Sequence, residues 1–390
     1  MKGKSIIVGI TGSVAAYKAL DLVKRLRNEG ATVNVIMTAS AQRFITPLSM
    51  QIASQGTVYT DTFEHPLSHV SLPAGTDLFI VAPASANIIG KYANAIADDM
   101  LSTTLLAYYG AVILAPAMNW RMYENPIFRK QLDYLISLGV KTVGPERGNL
   151  ACGEEGIGRM SDVCAIMESI YTAMTPQDLK GEHVLITAGP TREYLDPVRF
   201  ISNRSSGKMG YALARNAKLR GAAVTIISGP VSLEAPYGVD VIHVETASEM
   251  HETVLQKVGK SSILVMCAAV ADFAPEKVEA LKIEKTESMT LHLRKNPDIL
   301  LAVATLKDRP FTVGFSAETG NRTDRARKKL EVKKANMIVF NDISKKDVGF
   351  DSDTNEVTII DSTGEKMLPM MPKCEVAAAI FDRIIACKKA

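Results

Sequence analysis

The chain has 390 residues and a net charge of +3, with 47% hydrophobic and 22% charged residues, a balance typical of a globular protein with two domains. The small charge, without interleaved aromatic residues, argues against nucleic-acid binding, and no apolar run approaches the ~18 residues that span a bilayer. Five scattered cysteines without a CxxC pair argue against disulfides and structural zinc, so a cytoplasmic protein is expected.

The chain opens with the pattern of a nucleotide-binding α/β unit. Ser5–Ile10 and Thr32–Met37 are predicted strands, and the turn Thr11-Gly12-Ser13 leads from the first into an amphipathic helix. A phosphate is expected at the start of such a helix. The turn lacks the GxGxxG pattern, which argues against NAD and leaves a mononucleotide such as FMN.

Two more buried strands are predicted at residues 77–85 and 111–119, and both run through Ala-Pro-Ala to a polar residue, Ser85 or Asn119. Ligands collect at the carboxyl ends of strands in open parallel sheets. Residues 97–109 predict a helix with Ser102 and Thr103 near its start. His69 lies in a proline-containing segment before residue 77, where a structural histidine is the commoner interpretation.

Residues 151–160, ACGEEGIGRM, place Cys152 just before glycines at 153, 156 and 158. Because no strand or helix period runs through them, they predict a mobile flap that could carry a thiol to a substrate. Taken alone, the same pattern more often marks a surface loop with an incidental cysteine.

A helix at 162–171 and a linker at 172–181 predict a domain boundary near residue 175, and a second α/β series follows. Its polar loop at 200–210 opens onto a helix at 211–220 and could hold an anion. The basic run at 322–334 indicates a solvated helix face or a polyphosphate site. The remaining predictions are strands at 183–191, 223–228, 239–244, 261–266, 311–319 and 336–342, a hairpin arm at the sheet edge at 356–361, and a helix at 372–386.

Several of these stretches resemble known families. PAMNWRMY at 116–123 and ACGEEGIGRM at 151–160 resemble the signature motifs of flavin-dependent cysteine decarboxylases. Four further stretches resemble motifs of phosphopantothenate–cysteine ligases: ISNRSSGKMG at 201–210, AAVADF at 268–273, KNPDI at 295–299 and GFSAET at 314–319. The order of the motifs resembles the bifunctional bacterial enzymes of coenzyme A biosynthesis, over nearly the whole chain.

The resemblance implies an α/β protein of two consecutive Rossmann-like domains with mainly parallel sheets. Residues 1–175 would form a flavodoxin-like, FMN-dependent phosphopantothenoylcysteine decarboxylase. Residues 176–390 would form a CTP-dependent ligase with an edge hairpin. The ligase would join 4'-phosphopantothenate to cysteine through an acyl-cytidylate, with Mg²⁺, and the decarboxylase would yield 4'-phosphopantetheine. A homo-oligomer is implied, trimeric through the first domain and dimeric through the second.

The family's site residues carry over by motif, and the metal ligands stay unassigned. In the decarboxylase, Cys152 matches the flap thiol that donates a proton, His69 a histidine acting near the oxidation step, and Asn119 the asparagine that grips the substrate carboxylate. Ser68 stands where family members carry glycine. The implied FMN positions are Gly12, Ser13, Ser40, Ser85, Asn87, Ser102 and Thr103.

In the ligase, Asn203 matches the asparagine at the acyl-nucleotide step, and lysines would stabilise charge on the phosphates. Glu284 replaces a family lysine close to Lys282. The implied CTP positions are Met266, Cys267, Ala268, Asp272, Lys282, Asn296, Pro297, Asp298, Ile299, Phe315, Lys329 and Lys333.

Two alternatives stay open on these residues. One is a single-activity flavoprotein that decarboxylates peptidyl cysteines, against which the intact ligase motifs argue. The other is a noncatalytic regulatory flavoprotein, against which the presence of His69, Asn119 and Cys152 together argues.

Overall fold

A computed structural model describes residues 1–149, 153–285, 287–318, 320, 323–342, 344 and 351–389. The chain divides into two compact units, Met1–Pro176 and Gln177–Ala390. Across the described ranges, no helix is both long and apolar enough to cross a membrane. Three positions of the predicted motifs, Ala151, Cys152 and Thr319, lie outside those ranges.

The first unit alternates strands with helices. Its strands are β1 (Ser5–Ile10), β2 (Thr32–Met37), β3 (Val58–Tyr59), β4 (Leu78–Ala84), β5 (Ala111–Pro116), β6 (Lys141–Thr142), β7 (Glu146–Asn149) and β8 (Glu155–Arg159). Its α-helices are α1 (Lys18–Asn28), α2 (Pro47–Ser54), α3 (Ser68–Ala74), α4 (Ala86–Ala93), α5 (Met100–Ala107), α6 (Trp120–Tyr123), α7 (Pro126–Ser137) and α8 (Val163–Met174).

The main sheet of this unit is parallel in the order β3-β2-β1-β4-β5-β6. Every residue of β4 is buried, because helices cover both faces and each face carries its own apolar core. The order reverses direction between β1 and β4, so the loops that follow these two strands diverge and leave a crevice.

The second unit has a larger sheet. Its strands are β9 (His183–Ala188), β10 (Arg192–Tyr194), β11 (Phe200–Ser202), β12 (Ala223–Ser228), β13 (Asp240–His243), β14 (Ile263–Met266), β15 (Phe273–Pro275), β16 (Leu293–Lys295), β17 (Phe311–Glu318), β18 (Met337–Asp342), β19 (Thr354–Asp361) and β20 (Gly364–Pro372). Its helices are α9 (Lys208–Leu219), α10 (Ala247–Val258), α11 (Ile299–Ala304), α12 (Thr323–Val332) and α13 (Lys373–Lys389).

This sheet runs in the order β13-β12-β9-β14-β17-β18-β19-β20, and only its last two strands are antiparallel to their neighbours. The direction of the order again reverses once, between β9 and β14. Two small antiparallel pairs, β10–β11 and β15–β16, stand outside the sheet. The predicted pair of mainly parallel α/β domains with an edge hairpin is therefore confirmed.

Several local predictions are corrected. Residues 155–159 of the expected flap form β8, which pairs with β7 as a hairpin. The segment around His69 is helical, and the polar loop at 200–210 contains β11 and the first turn of α9. Residues 356–361 belong to β19, which lies inside the sheet because β20 takes the edge.

The predicted linker at 172–181 is mostly ordered structure. Helix α8 continues to Met174, and Leu179 is 1% exposed within the core of the second unit. Arg220, itself only 8% exposed, contacts the carboxylates of Asp178 at 2.5 Å and Asp382 at 2.7 Å. The segment that follows Pro176 is therefore fastened to the second unit.

Candidate functional site

A cavity of about 1280 Å³ opens in the first unit where the order of the sheet reverses. It lies at the carboxyl ends of β1, β4 and β5, and its volume exceeds the roughly 300–1,000 Å³ of common small-molecule sites. Six of the predicted residues line it, from four different loops: Gly12, Ser13, Ser40, Ser85, Asn87 and Asn119.

The loops after β1 and β4 are joined by Thr11, which the sequence did not single out. Its hydroxyl donates to the Pro83 carbonyl at 2.8 Å and accepts from the Ser85 amide at 2.9 Å. A Cβ at Gly12 would lie 2.4 Å from the Cβ of Ser40, so the loops can approach this closely only because position 12 is glycine. The predicted FMN residues of three loops are thereby brought together.

Ion pairs also line the cavity. Lys18 contacts the Asp162 carboxylate at 3.2 Å, and Lys91 contacts the carboxylates of Asp98 at 2.6 Å and Asp99 at 2.9 Å. All of these residues except Asp98 face the cavity. Lys18 and Asp162 are far apart in the chain, and no sequence signal marked their pairing.

Asn119 lines the cavity and caps the start of α6, where its Oδ1 accepts from the Arg121 amide at 2.9 Å. The hairpin β7–β8 lies against this segment. The Met118 amide donates to the Gly158 carbonyl at 3.0 Å, and a Cβ at Gly158 would lie 2.1 Å from the Met118 carbonyl oxygen. Only glycine permits this contact, which places the hairpin beside Asn119.

A carboxylate holds the other end of the hairpin. Glu154 accepts from the indole Nε1 of Trp120 at 2.9 Å and from the guanidinium of Arg121 at 2.7 Å. Cys152 lies outside the described residues, so its own position is not assigned. On either side of it in the chain, Asn149 lines the cavity and Glu154 contacts the two residues that follow Asn119.

Three predicted residues are absent from the described lining of the cavity: His69, Ser102 and Thr103. The hydroxyl of Ser102 lies 3.0 Å from the Asp99 carboxylate within the cap that begins α5. His69 lies on α3, and its buried Nδ1 has no hydrogen-bond partner in the described structure. Two apolar side chains that precede it in the chain are exposed, Phe63 by 88% and Leu67 by 70%.

The predicted ligase residues gather at the reversal point of the second sheet. The Asn203 amide donates to the carbonyls of Ala269 at 3.2 Å and Val270 at 3.3 Å. The Asn296 side chain donates to the Ala271 carbonyl at 2.9 Å, and its backbone amide donates to the Asp272 carbonyl at 2.9 Å. The loop that follows β14 is thus held between two predicted asparagines.

Two of the predicted lysines lie beside polar groups of the same region. Lys333 forms an ion pair with Asp298, whose carboxylate also caps α11 by accepting from the Leu301 amide at 3.0 Å. Burial, and next the charge of Lys295, lower the pKa of Lys333, while Asp272 opposes the shift. Lys329 donates to the Ser316 hydroxyl at 3.4 Å, next to Phe315.

The carboxyl end of β14, where several predicted CTP positions lie, is closely packed. The Ala268 amide donates to the Thr187 hydroxyl at 3.2 Å, and Met266 ends β14. Burial raises the pKa of Cys267 to about 12, so this thiol stays protonated at neutral pH. Ile299 is buried as the first residue of α11, two residues after Pro297.

The Lys282 side chain is exposed, and its segment has no helix or strand. Its neighbour Ile283 is held instead, by Asp196 and Arg199. Neither of these residues was singled out from the sequence. Within the described ranges, no group of three or more His, Cys, Asp or Glu could hold a metal ion.

Comparisons with known proteins cover both units. The Flavoprotein family model matches residues 1–175, and the model for the DNA/pantothenate metabolism flavoprotein C-terminal domain matches residues 179–387. A solved structure described as the C-terminal domain of the coenzyme A biosynthesis bifunctional protein CoaBC is 40% identical. It covers 55% of this chain and 98% of its own, with a TM-score of 0.48.

Curated relatives match from end to end. The coenzyme A biosynthesis bifunctional protein CoaBC of Bacillus subtilis (strain 168) is 45% identical over 399 residues, 100% of this chain and 98% of the relative. The CoaBC protein of Escherichia coli (strain K12) is 44% identical over 397 residues, 99% of this chain and 97% of the relative. The chain is thus a flavoprotein that belongs to the family of coenzyme A biosynthesis bifunctional CoaBC proteins.

Proposed function

We propose how the two functions of this family are divided over the chain. The protein is a bifunctional enzyme of coenzyme A biosynthesis with a decarboxylase and a ligase function. We assign decarboxylation of 4'-phosphopantothenoylcysteine to residues 1–175 and CTP-dependent ligation of 4'-phosphopantothenate with cysteine to residues 176–390. The observation that carries the assignment is the large cavity of the first unit, lined by six residues of the flavin and decarboxylase motifs.

FMN fits this cavity in size and in the character of its lining. The loops joined by Thr11 pack closely at Gly12, where a Cβ would collide with Ser40, and their residues line one side of the cavity. The residues that would hold the flavin are Gly12, Ser13, Ser40, Ser85 and Asn87. When bound, the flavin supplies the reversible oxidation that turns the thiol-bearing carbon of the substrate into an electron sink β to the carboxylate.

The protein's own residues orient the substrate and move its protons. The Asn119 amide would bind the substrate carboxylate and set the direction in which CO2 departs. Cys152 would then protonate the carbon of the ene-thiol that remains, because a thiol is a stronger acid than a serine hydroxyl or water. Its hairpin neighbours support this role, since Gly158 and Glu154 fasten β8 beside Asn119.

His69 would act from a second copy of the chain. Its helix does not face the cavity described here, and the exposed Phe63 and Leu67 beside it are a surface that a subunit contact would cover. A second exposed apolar surface surrounds the pair β15–β16, with Leu281 82% and Phe273 51% exposed. We therefore propose a homo-oligomer with one contact through each unit, trimeric in the first and dimeric in the second.

The ligase must activate a carboxylate before an amine can attack it. The 4'-phosphopantothenate carboxylate would attack the α-phosphorus of CTP, which forms the acyl-cytidylate and releases pyrophosphate. The cysteine amine would then attack the acyl carbon, lose a proton and release CMP. Asn203 would hold the acyl-nucleotide, while Lys282, Lys329, Lys333 and a Mg²⁺ ion on the phosphate oxygens would balance their charge.

Reciprocal substitutions in the full-length chain test this division. Asn119→Ala should stop CO2 release from supplied 4'-phosphopantothenoylcysteine and leave CTP-dependent pyrophosphate release unchanged. Asn203→Ala should do the opposite. Loss of both activities in either variant would contradict the division. A flavin-loaded wild-type protein that forms no pyrophosphate from CTP would instead favour a single-activity decarboxylase.

A further inference from the structure

A buried carboxylate lies beside the segment that carries Lys282. Asp196 is 0% exposed, and its side chain accepts from three backbone amides, of Val198 at 2.8 Å, Arg199 at 2.8 Å and Ile283 at 3.1 Å. Two of these amides belong to the turn that follows Asp196. The third is far along the chain, so the carboxylate links that turn to the neighbour of Lys282.

Arg199 completes the link from the other side. Its Nε donates to the Asp196 carboxylate at 2.8 Å, and its terminal nitrogen donates to the Ile283 carbonyl at 2.6 Å. The amide and the carbonyl of Ile283 are therefore both held by one ion pair. Burial alone would raise the pKa of Asp196, but the three amides and Arg199 lower it far below its usual value, so the pair stays charged at neutral pH.

Little else in the described structure fixes this part of the backbone. Residues 276–285 contain no helix or strand, and the other bond that ties them to the 195–199 turn joins the Glu279 amide to the Leu195 carbonyl at 2.9 Å. A lysine side chain has four flexible bonds, so an unfixed backbone beneath it would spread its ammonium group over several ångströms.

We infer that Asp196 and Arg199 are positioning residues that hold the Lys282 backbone, so that its ammonium group reaches the phosphates of the nucleotide. This inference rests on the proposed role of Lys282 in the ligase. Arg199 suits the task because a planar guanidinium donates in two directions at once, to a carboxylate and to a carbonyl. A lysine at position 199 could not keep both contacts in the same geometry.

The test compares single and double variants of the full-length protein in a pyrophosphate-release assay. Arg199→Gln and Lys282→Gln should each raise the KM for CTP by about 10-fold or more, because misplacement of a binding group by ~1 Å can cost up to 100-fold. The KM for cysteine should change by less than about 2-fold. The KM for CTP of the double variant should be no higher than that of the more impaired single variant, since both changes remove the same interaction. Arg199→Lys should not restore the KM.

Arg383→Gln is the matched control, because Arg383 also contacts a buried aspartate, Asp361, at 2.6 Å. It should lower the melting temperature without changing the KM for CTP. Multiplying effects in the double variant, or equal rises in KM for CTP and cysteine, would overturn the positioning role. A normal KM for CTP in Arg199→Gln, together with a raised KM in Lys282→Gln, would overturn the positioning role and leave the proposed role of Lys282 standing. A normal Lys282→Gln would refute the proposed role of Lys282, and the inference with it.

Discussion

Replacement of Gly158 by alanine should displace the hairpin β7–β8, whose two strands flank Cys152 in the sequence. The new Cβ would lie 2.1 Å from the Met118 carbonyl oxygen, whereas such atoms normally stay at least ~3.3 Å apart. Strand β8 and the Met118 segment must therefore move apart by about 1 Å, which weakens the bond from the Met118 amide to the Gly158 carbonyl, now 3.0 Å long.

The expected cost follows from these two effects. Overpacking costs about 1–3 kcal/mol and a lost hydrogen bond about 1 kcal/mol, so the first unit should lose about 2–4 kcal/mol of stability. A change of 1 kcal/mol shifts the melting temperature of a unit this size by ~2–4 °C. If Cys152 is the proton donor proposed above, the decarboxylation rate should fall by about 100-fold, because a displacement of ~1 Å can misplace a reacting group by that much.

The assay measures CO2 release from 4'-phosphopantothenoylcysteine at saturating FMN, alongside pyrophosphate release from CTP. Gly148→Ala is the matched control on the partner strand, because its Cβ would meet nothing closer than the Arg159 guanidinium at 3.7 Å. It should decarboxylate normally, and both variants should keep the ligase activity. Normal CO2 release by Gly158→Ala would refute the argument that the contact with Met118 positions the thiol.

Three further predictions concern the thiol, the domains and an ion pair. Cys152→Ser should release CO2 yet accumulate the ene-thiol, whereas His69→Asn should release none; mass spectrometry of the products tests this, and normal turnover by Cys152→Ser would contradict the proton-donor role. Residues 1–175 alone should bind FMN and decarboxylate supplied substrate; an insoluble or flavin-free fragment would argue against this boundary. The hydrogen bond from Arg220 lowers the pKa of Asp178, so its contribution to stability is present above pH ~4 and is lost as the pH falls through the folded-state pKa. Urea unfolding should therefore show wild type and Arg220→Met converging at acid pH; a difference independent of pH would contradict this.

Elements buried inside the sheets could be predicted from the sequence. The strands at Ser5–Ile10, Thr32–Met37 and Ala223–Ser228 match to the residue, because continuous apolar runs bounded by polar turns have one way to be buried. Short pieces such as β15 and β16 were missed, since three residues carry no period. The hairpin strand β8 was missed because its glycines mask a pairing that depends on contact with Met118 and Trp120.

The sites show the same division. The turns at Gly12 and Ser85 could be placed together because the carboxyl ends of parallel strands share one edge of the sheet. The hydrogen bonds that fix these sites were not predicted, since the partners of Thr11 in the first unit and of Asp196 in the second lie many residues away. His69 was grouped with Asn119 by motif, yet sequence order does not reveal whether two motifs face the same cavity.

The fastening of the segment after Pro176 decides where a separately expressed second half can begin. A fragment that starts at Gln177 keeps Leu179 in the core and both carboxylates on Arg220. A fragment that starts at the first strand, His183, would remove the Asp178 carboxylate from Arg220 and expose the apolar surface that Leu179 covers. Low solubility of such a fragment would then result from the choice of its first residue. It would not mean that the second unit is unable to fold.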